Sequence, residues 1–566
     1  MALSPSAHVD TFARDHLPPA DQWPDLVFEL PELRYPQRLN CAEELLDRVV
    51  HRLGGDRPCL RDAAGVVWSY ADLLGNANRV ARVLVEDLDV VPGNRVLLRA
   101  PNSPWLVACW FGAMKAGAVV VATMPLLRSG ELAAIGEIAK VDLALCDARY
   151  TADLIQAGVD GMRVVQYGGS DGDDLFGMAA GKPTTFTAVP TAADDVAMIA
   201  FTSGTTGRPK AAMHFHRDLL AIADTFSAHV LRPGPDDVFA GSPPLAFTYG
   251  LGGIVVFPFR VGASVLLLES AAPPELFGAV GRHRVTVLLT APTAYRAAVQ
   301  KVADYDLSSL RACVSAGEAL PAATWEAFRE ATGLRIIDGI GSTEMLHIFI
   351  ASSGDDIRPG STGREVPGYS ARVVDDAGAP VPDGQPGRLA VRGPTGCRYL
   401  ADERQRVYVQ DGWNLTGDTY VRDPGGYFWF QARSDDMIVS SGYNISGPEV
   451  ENALLRHPAV EECGVVGAPD PDRGTIVKAY VVLAEDVPRT AETARALQDF
   501  VKTQIAPYKY PRSVHFLDAL PRTNTRKLQR FKLREMAQAA AGSGAGAAGA
   551  GQGGMNRPPL TSSTPR

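Results

Sequence analysis

Residues 201–210, which read FTSGTTGRPK, concentrate groups that could bind a polyphosphate. Phosphate oxygens accept hydrogen bonds and never donate them, so hydroxyls, free N–H groups and a cation in one short loop suit such a ligand. Glycines would let the backbone approach the ligand closely. A glycine-rich surface turn is the alternative for any single motif of this kind. The candidate phosphate-binding residues are Thr202, Ser203, Gly204, Thr205, Thr206 and Lys210.

This loop is not a Walker A motif, which requires the pattern GxxxxGK[ST]. Pro209 stands directly before Lys210, so the loop is not expected to run straight into a helix. An ordinary P-loop kinase or ATPase is therefore disfavoured. The apolar residues 198–200 predict that the loop follows a buried strand.

Three further stretches carry groups that could contact the same phosphate-containing ligand. Residues 338–344, DGIGSTE, follow an apolar stretch, and the carboxyl end of a strand in an open α/β sheet is the usual ligand crevice. Glu344 offers a hard oxygen to Mg²⁺, although alone it would be a solvated turn residue or a helix cap. Asp418, in the stretch WNLTGD, resembles the aspartate that accepts hydrogen bonds from both ribose hydroxyls in acyl-adenylate-forming enzymes, although alone it would close a turn. Lys527 could neutralise a carboxylate and a phosphate oxygen as they meet, although alone its segment would be a solvated basic run.

Taken together, these motifs resemble the acyl-adenylate-forming superfamily of acyl- and aryl-CoA ligases, peptide-synthetase adenylation domains and firefly-type luciferases. The resemblance covers about residues 8–535. It implies that ATP and Mg²⁺ activate a carboxylic acid as an acyl-AMP, with Lys527, Glu344 and Thr202 as catalytic residues and Glu344 on the metal. The nucleotide-binding residues that it implies are Thr202, Ser203, Gly204, Thr205, Thr206, Lys210, Gly317, Glu318, Asp338, Gly339, Ile340, Gly341, Ser342, Thr343, Asp418, Phe430, Arg433 and Lys527.

The region of the acid-binding pocket in this superfamily corresponds to residues 244–252, PLAFTYGLG. Bulky Phe247 and Tyr249 would shorten a tunnel and favour a flat ring, with ordinary core packing as an equal alternative. Residues 338–350 resemble benzoate-type CoA ligases, which would let His347 hydrogen-bond a ring substituent, and the N-terminal arm resembles 2-aminobenzoate-CoA ligases. The implied substrate-binding residues are Phe247, Thr248, Tyr249, Gly250, Ala316, Gly339, Gly341 and His347.

The resemblance also implies a second step in which a small domain rotates and a thiol, most simply that of CoA, takes the acyl group. Asp435 would be the hinge, and Gly442 and Tyr443 would line the thiol tunnel. One alternative is an adenylating enzyme of natural-product biosynthesis that delivers the acyl group to a carrier protein, or to a hydroxyl or amine of another small molecule. Another is a non-catalytic nucleotide-binding relative, which the presence of Lys527, Glu344 and Asp418 disfavours.

The elements that would position these residues alternate between strands and helices from about residue 70 onward, a pattern typical of a layered α/β domain. Short strands and Gly/Pro turns from about residue 370 predict a β-rich subdomain, and a smaller α+β unit follows. We therefore expect an N-terminal adenylation domain at 1–434 and a mobile C-terminal lid at 435–536. The low-complexity tail 537–566 is expected to be disordered. The apolar run 251–268 predicts buried strands.

Composition narrows the class of protein further. A net charge of −9 over 566 residues argues against general nucleic-acid binding and against a basic membrane-surface patch. Seven scattered cysteines without a CxxC pair predict buried thiols in a reducing cytosol, and no export signal is apparent. We expect a cytoplasmic monomer or homodimer whose partners are an aryl acid, ATP and CoA or a carrier protein.

Overall fold

The computed structural model describes residues 3–169, 174–202, 209–433, 436–440, 443–470, 474–505, 507–523 and 527–547. The chain divides into two compact units, Met1–Phe430 and Gln431–Arg566. The strand Phe428–Arg433 contains the boundary between them. The larger unit is a layered α/β structure with an additional antiparallel sheet, and the smaller unit is α+β, so the predicted fold class is confirmed.

One sheet of the larger unit ends at the predicted phosphate loop. Within the described residues it has six strands, which run parallel to their neighbours except for the last pair. The apolar stretches 95–98, 118–122, 143–146 and 164–166 predict strands from the sequence, and all four lie in this sheet. In spatial order the six strands are Arg163–Tyr167, Leu143–Asp147, Arg95–Arg99, Val119–Thr123, Val196–Thr202 and Lys210–Phe215.

The second sheet carries the predicted nucleotide- and acid-binding residues. Its central strands are parallel and its edge strands antiparallel, and nine strands belong to it within the described residues. In spatial order they are Arg364–Glu365, Ile348–Ala351, Ile336–Gly341, Ala312–Ala316, Val287–Thr290, Val238–Gly241, Ser264–Leu267, Pro58–Asp62 and Val67–Ser69.

Helices of the larger unit pack on these sheets around a core whose largest buried cluster includes residues from both. Serine followed by proline at 103–104 predicts a helix start, and the structure confirms it, because the Ser103 side chain accepts a hydrogen bond from the Leu106 N–H at 3.3 Å. The α-helices are Phe12–Asp15, Arg48–Leu53, Tyr70–Arg82, Pro104–Lys115, Ser129–Ala139, Thr151–Ala157, Leu175–Ala180, His216–Ile222, Thr248–Leu251, Phe257–Val261, Pro273–His283, Pro292–Val299, Ala322–Thr332 and Gln405–Tyr408. Wider π-helical turns cover Glu43–Asp47, Val83–Asp87, Ala223–Leu231 and Gly252–Val256.

The prediction of buried strands across 251–268 is wrong for most of that run. Residues 248–261 are continuously helical, and only Ser264–Leu267 is a strand. Residues 251–259 are all buried, so the run shows no polar face that would reveal a helical period, and a buried helix and a buried strand then look alike in sequence. Gly262, with φ of +84°, ends the helix in the left-handed conformation that glycine tolerates.

A third, antiparallel sheet of the larger unit confirms the β-rich subdomain predicted from about residue 370. Its strands include Ser370–Val374, Pro386–Arg392, Val409–Gln410 and Trp413–Arg422. None of the helices in the described ranges is both long enough and apolar enough to span a bilayer.

The smaller unit has its own core around a three-stranded sheet. Its strands Val460–Asp470 and Gly474–Leu483 are antiparallel, and Ser513–Phe516 joins them in parallel. The helix Arg530–Ala547 continues past Ala537, where the disordered tail was expected to begin, because Leu533 and Ala537 are buried in one apolar cluster with residues of the sheet. The remaining elements are the strands Ile438–Ser440 and Tyr443–Ile445 and the helices Gly447–Leu454 and Ala491–Gln504.

Candidate functional site

The predicted phosphate loop is rooted on two antiparallel strands. Thr202 ends the first strand, Lys210 begins the second, and the two residues are partners in the register. The loop therefore follows a buried strand, as predicted, and it leads into a second strand and not into a helix. Four of the predicted phosphate-binding residues lie outside the described residues, and they are Ser203, Gly204, Thr205 and Thr206.

Two parallel strands bring the next set of predicted residues to one edge of the second sheet. Ala316 and Gly339, at or near the ends of these strands, are register partners. Gly317 follows with φ of +91°, a conformation that favours glycine. Gly341 lies against the returning chain, where a Cβ atom would come within 2.6 Å of the His347 carbonyl oxygen. Glycine is therefore required at 341 for the turn that follows it.

Asp338 presents an enclosed carboxyl group at the same edge. Its Oδ1 atom is buried and has no hydrogen-bond partner among the described residues. Burial raises the pKa of Asp338 to about 8, although the backbone N–H groups of Gly339 and Leu320 favour the charged form. The carboxyl group is thus mostly protonated at neutral pH and can donate or accept a hydrogen bond.

The turn at residues 342–347 carries both a predicted metal ligand and a predicted acid-binding residue. The Thr343 carbonyl accepts hydrogen bonds from the Leu346 N–H at 3.2 Å and from His214 Nε2 at 2.8 Å. Because a carbonyl only accepts, His214 Nε2 carries the proton. Leu346 has φ of +70°, which reverses the chain between Glu344 and His347.

Glu344 is buried, with 7% of the residue exposed, and a tyrosine holds its carboxylate. The Tyr399 hydroxyl donates to Glu344 Oε1 at 2.5 Å. The Tyr399 ring also lies 5.4 Å from Lys210 Nζ, in cation–π range. The lysine of the phosphate loop and the acid of the turn are therefore brought together on one aromatic side chain.

His347 is enclosed by aromatic rings. Its ring centroid lies 4.5 Å from that of Phe257 and 5.6 Å from those of Phe226 and Tyr249. The residue is 2% exposed, and neither ring nitrogen has a hydrogen-bond partner among the described residues. Burial lowers the pKa of His347 to about 3, against an opposing effect of the Tyr249 backbone, so the imidazole is neutral at physiological pH.

The ring of Tyr249 packs near His347, whereas its hydroxyl bonds elsewhere. The hydroxyl lies 3.2 Å from the Val314 carbonyl and 3.3 Å from the Thr290 carbonyl, so its one hydrogen is used on the sheet. Gly250 packs so closely on the preceding loop that a Cβ atom would lie 2.0 Å from the Pro244 carbonyl oxygen. The other two predicted residues of this segment are Phe247, which is half-buried, and Thr248, which is buried.

The predicted ribose-binding residue Asp418 lies in the antiparallel sheet of the larger unit. It is 7% exposed, and its N–H donates to Thr416 Oγ1 at 3.3 Å. The Phe430 ring packs edge-on against Tyr420 with 5.5 Å between centroids. Asp418 therefore has a fixed backbone in the middle of a strand.

Lys527 lies in the smaller unit, where two hydrogen bonds pair it with Thr523. The Lys527 N–H donates to Thr523 Oγ1 at 3.0 Å, and the Thr523 N–H donates to the Lys527 carbonyl at 2.8 Å. Just beyond, Arg530 forms a bidentate ion pair with Glu451. Lys527 is exposed, so it lies on the surface of its own unit.

Other predicted residues are only partly described. Asp435 and Gly442 lie outside the described residues, and so does the side chain of Tyr443, whose backbone is in a strand. Arg433 is exposed in the smaller unit and Glu318 is half-buried in the larger one.

Sequence reasoning missed several residues that hold this site. Tyr399 and His214 contact the 342–347 turn, and Phe226 and Phe257 enclose His347. These contacts join residues that are far apart in the chain, so local spacing in the sequence does not predict them. In the sequence His214 stands out only as half of the pair His214–Phe215–His216, which without a nearby cysteine or carboxylate cluster predicts two ordinary histidines and no metal site.

The donor set fits a magnesium ion that is shared with a nucleotide. Among the described residues, no group of three or more His, Cys, Asp or Glu side chains could hold a metal by itself. Mg²⁺ commonly takes one or two carboxylates and completes its shell with phosphate oxygens and water. The buried carboxylate of Glu344, which shares Tyr399 with Lys210 of the phosphate loop, matches that pattern.

Comparison with known proteins agrees with this arrangement. The family model described as "AMP-binding enzyme" matches residues 46–399, and the model described as "AMP-binding enzyme C-terminal domain" matches residues 449–527. The two models cover the phosphate loop, the 342–347 turn, Tyr399 and Lys527.

Similar proteins with known names act on small aromatic acids. The chain is 35% identical over 520 residues to a benzoate–CoA ligase of Thauera aromatica, covering 89% of this chain and 97% of that one. It is 35% identical over 515 residues to a 3-hydroxybenzoate–CoA ligase of Aromatoleum sp., covering 88% and 97%.

A solved structure extends the likeness to three dimensions. The crystal structure of the anthranilate CoA ligase AuaEII in complex with anthranoyl-AMP superposes with a TM-score of 0.86 at 35% identity, covering 91% of this chain and all of that one. The chain therefore belongs to the AMP-binding enzyme family, in the aryl-CoA ligase branch of the acyl-adenylate-forming superfamily.

Proposed function

We propose that this enzyme activates 2-aminobenzoate, or a closely related ring-substituted benzoate, with ATP and transfers the acyl group to CoA. One observation carries the substrate class: a neutral, buried His347 stands among three aromatic rings with both nitrogens unpaired in the described structure. An unpaired buried polar group costs about 1–3 kcal/mol. A flat ring with one polar substituent fills an apolar enclosure and supplies the missing partner.

The relatives support the same class of acid, since their names specify benzoate, 3-hydroxybenzoate and anthranilate. In this chain the acid would lie between the Phe247–Gly250 segment and the strand ends, with its ring towards His347. The residues that we assign to it are Phe247, Thr248, Tyr249, Gly250, Ala316, Gly339, Gly341 and His347.

In the first step, a carboxylate oxygen of the acid attacks the α-phosphorus of ATP and forms a P–O bond. The bond from that phosphorus to the bridging oxygen breaks, and pyrophosphate leaves with the electron pair. Lys527 neutralises the oxygens that approach each other, while Lys210, Thr202 and residues 203–206 hold the β- and γ-phosphates. Mg²⁺, when bound beside Glu344, would neutralise part of the phosphate charge.

We assign residues to the ribose and the adenine of the nucleotide by their donor and acceptor chemistry. Asp418, as a carboxylate, accepts from both ribose hydroxyls. The unpaired Oδ1 of Asp338 suits the exocyclic amine of adenine, which is a donor. The residues assigned to line the adenylate beside them are Gly317, Glu318, Gly339, Ile340, Gly341, Ser342, Thr343, Phe430 and Arg433.

In the second step, a thiolate of CoA attacks the acyl carbonyl, a thioester forms and AMP leaves. The smaller unit turns about Asp435 between the steps, which withdraws Lys527 and brings residues 442–443 to the thiol path. A rearrangement of this kind lets one site carry out two incompatible reactions.

A panel of acids in ATP–pyrophosphate exchange tests the proposal, with each acid repeated in the presence of CoA and the products analysed by mass. We expect exchange to be highest with 2-aminobenzoate or another ortho- or meta-substituted benzoate, and a thioester to appear with CoA. Exchange confined to alkyl acids would reject the substrate class. Acyl-AMP that accumulates with CoA, and is consumed by a carrier protein or an amine, would identify a different acceptor.

A further inference from the structure

Three residues of a second segment, 395–408, form hydrogen bonds with the turn that carries Glu344. Thr395 Oγ1 donates to the Met345 carbonyl at 2.8 Å, and the Tyr408 and Ser342 hydroxyls lie 3.1 Å apart. Between them, Tyr399 bonds the carboxylate of Glu344 itself. Tyr399 thus contacts a charged group of the site, while its neighbours contact backbone or a hydroxyl.

The main chain around Tyr399 is fixed to the strand that begins with Lys210. The Leu400 N–H donates to the Ala211 carbonyl at 2.9 Å, and the Met213 N–H donates to the Arg398 carbonyl at 2.8 Å. Tyr399 is fully buried. Its ring and hydroxyl are therefore held between Lys210 and Glu344.

The chemistry of Tyr399 and Glu344 favours a hydrogen bond that orients the Glu344 carboxylate. A phenol has one hydrogen to donate, and here that hydrogen points to one carboxylate oxygen, which restricts rotation of the Glu344 carboxylate. Lys210 Nζ, above the ring face, gains cation–π attraction from Tyr399.

We propose that Tyr399 is a positioning residue for nucleotide binding: its hydroxyl orients the Glu344 carboxylate and its ring positions the Lys210 ammonium. This inference rests on the proposed function only in that ATP binds at this site. It does not depend on which acid is activated or on which acceptor takes the acyl group.

The test compares three variants of the full chain by calorimetric titration with ATP, with and without Mg²⁺, and by the KM for ATP in pyrophosphate exchange. Tyr399→Phe removes the hydroxyl and keeps the ring, whereas Tyr399→Leu removes both. Tyr70→Phe is the matched control, because its buried hydroxyl bonds the Ala263 carbonyl at 2.7 Å and belongs to no part of the site.

We expect Tyr399→Phe to weaken Mg²⁺-dependent ATP binding about tenfold or more, as for loss of a hydrogen bond to a charged group. Tyr399→Leu should weaken it further by about threefold, through loss of the ring. Tyr70→Phe should leave ATP affinity unchanged while lowering the Tm. The KM for the acid should change by less than about threefold in all three variants, since the contact lies on the nucleotide side.

A double-mutant cycle separates positioning from general structural support. In a Glu344→Gln background, adding Tyr399→Phe should have little further effect on ATP binding, because its target is already altered. Full additivity of the two changes would overturn the proposal. So would wild-type ATP affinity in Tyr399→Phe, or an equal loss in Tyr70→Phe. An enzyme that binds ATP but activates no aryl acid would reject the proposed function and leave this comparison valid.

Discussion

The carboxylate of Asp218 and the guanidinium of Arg398 form an ion pair in which neither side chain is exposed to solvent. Burial raises the pKa of Asp218 and lowers that of Arg398, in each case as the largest cause. Desolvation therefore opposes the charged forms more strongly than the attraction supports them. The pair is a weak stabiliser as a whole, yet each partner is costly to remove alone.

We accordingly expect Arg398→Met to lower the free energy of unfolding by about 3–5 kcal/mol, because it leaves a buried carboxylate without its partner. The double variant Asp218→Asn/Arg398→Met should recover most of that loss, since no unpaired charge remains. Asparagine also keeps an acceptor for the Phe215 N–H. Urea unfolding measures both, and equal losses in the single and double variants would contradict this account.

Lys527→Ala should lower ATP–pyrophosphate exchange by about 100-fold or more, as for loss of a charge that stabilises the transition state. Transfer from chemically supplied aryl-AMP to CoA should be nearly unchanged, because that step does not need the lysine. Lys532→Ala is the control, as Lys532 is an exposed lysine of the adjacent helix. Exchange that survives in Lys527→Ala would remove this residue from the first step.

His347→Leu should reduce kcat/KM for 2-aminobenzoate about tenfold more than for benzoate, because only the substituted acid loses a hydrogen bond. Phe257→Leu alters the same enclosure without removing a polar atom, so it should affect the two acids alike. The discrimination should be constant from about pH 6 to about pH 9, since the pKa of His347 is about 3. Equal losses for both acids in His347→Leu would show that the imidazole does not recognise the substituent.

Asp338 predicts a pH dependence of stability. Its pKa is raised from 3.8 to about 8 on folding, so between these values the folded chain binds more protons than the unfolded chain. Its contribution to the free energy of unfolding therefore falls as pH rises, by up to about 1.4 kcal/mol per pH unit, and levels off above pH 8. Asp338→Asn should gain stability relative to wild type between about pH 5 and pH 8. The free energies of unfolding of wild type and Asp338→Asn are measured in urea at each pH. If the two pH profiles are parallel, the pKa of Asp338 is not raised.

Elements with strong local signals were predictable from the sequence. The sequence of 322–332 predicts a helix, and the structure has a helix with the same bounds, Ala322–Thr332. Serine with proline after it at 103–104 likewise begins a helix. The strand Val196–Thr202 is predicted from the apolar residues 198–200. In these cases the deciding interactions are made with neighbours in the chain, so spacing and residue type suffice.

Contacts between distant residues were not predictable in the same way. The bond from His214 to Thr343 spans 129 residues and that from Tyr399 to Glu344 spans 55. Tyr249 illustrates a second limit: its ring was interpreted as part of the acid pocket, but the sequence could not show that its hydroxyl is used on a backbone carbonyl. Side-chain direction depends on packing, which a single sequence does not contain.

The pairing of Thr202 with Lys210 has a consequence for how nucleotide affinity responds to ionic strength. Because a strand follows the phosphate loop, the loop does not lead into a helix whose dipole could attract the triphosphate. More of the attraction must then come from discrete cations such as Lys210, and added salt screens the approach of a charged ligand to partly exposed cations. The dissociation constant for ATP should therefore rise steeply with added potassium chloride.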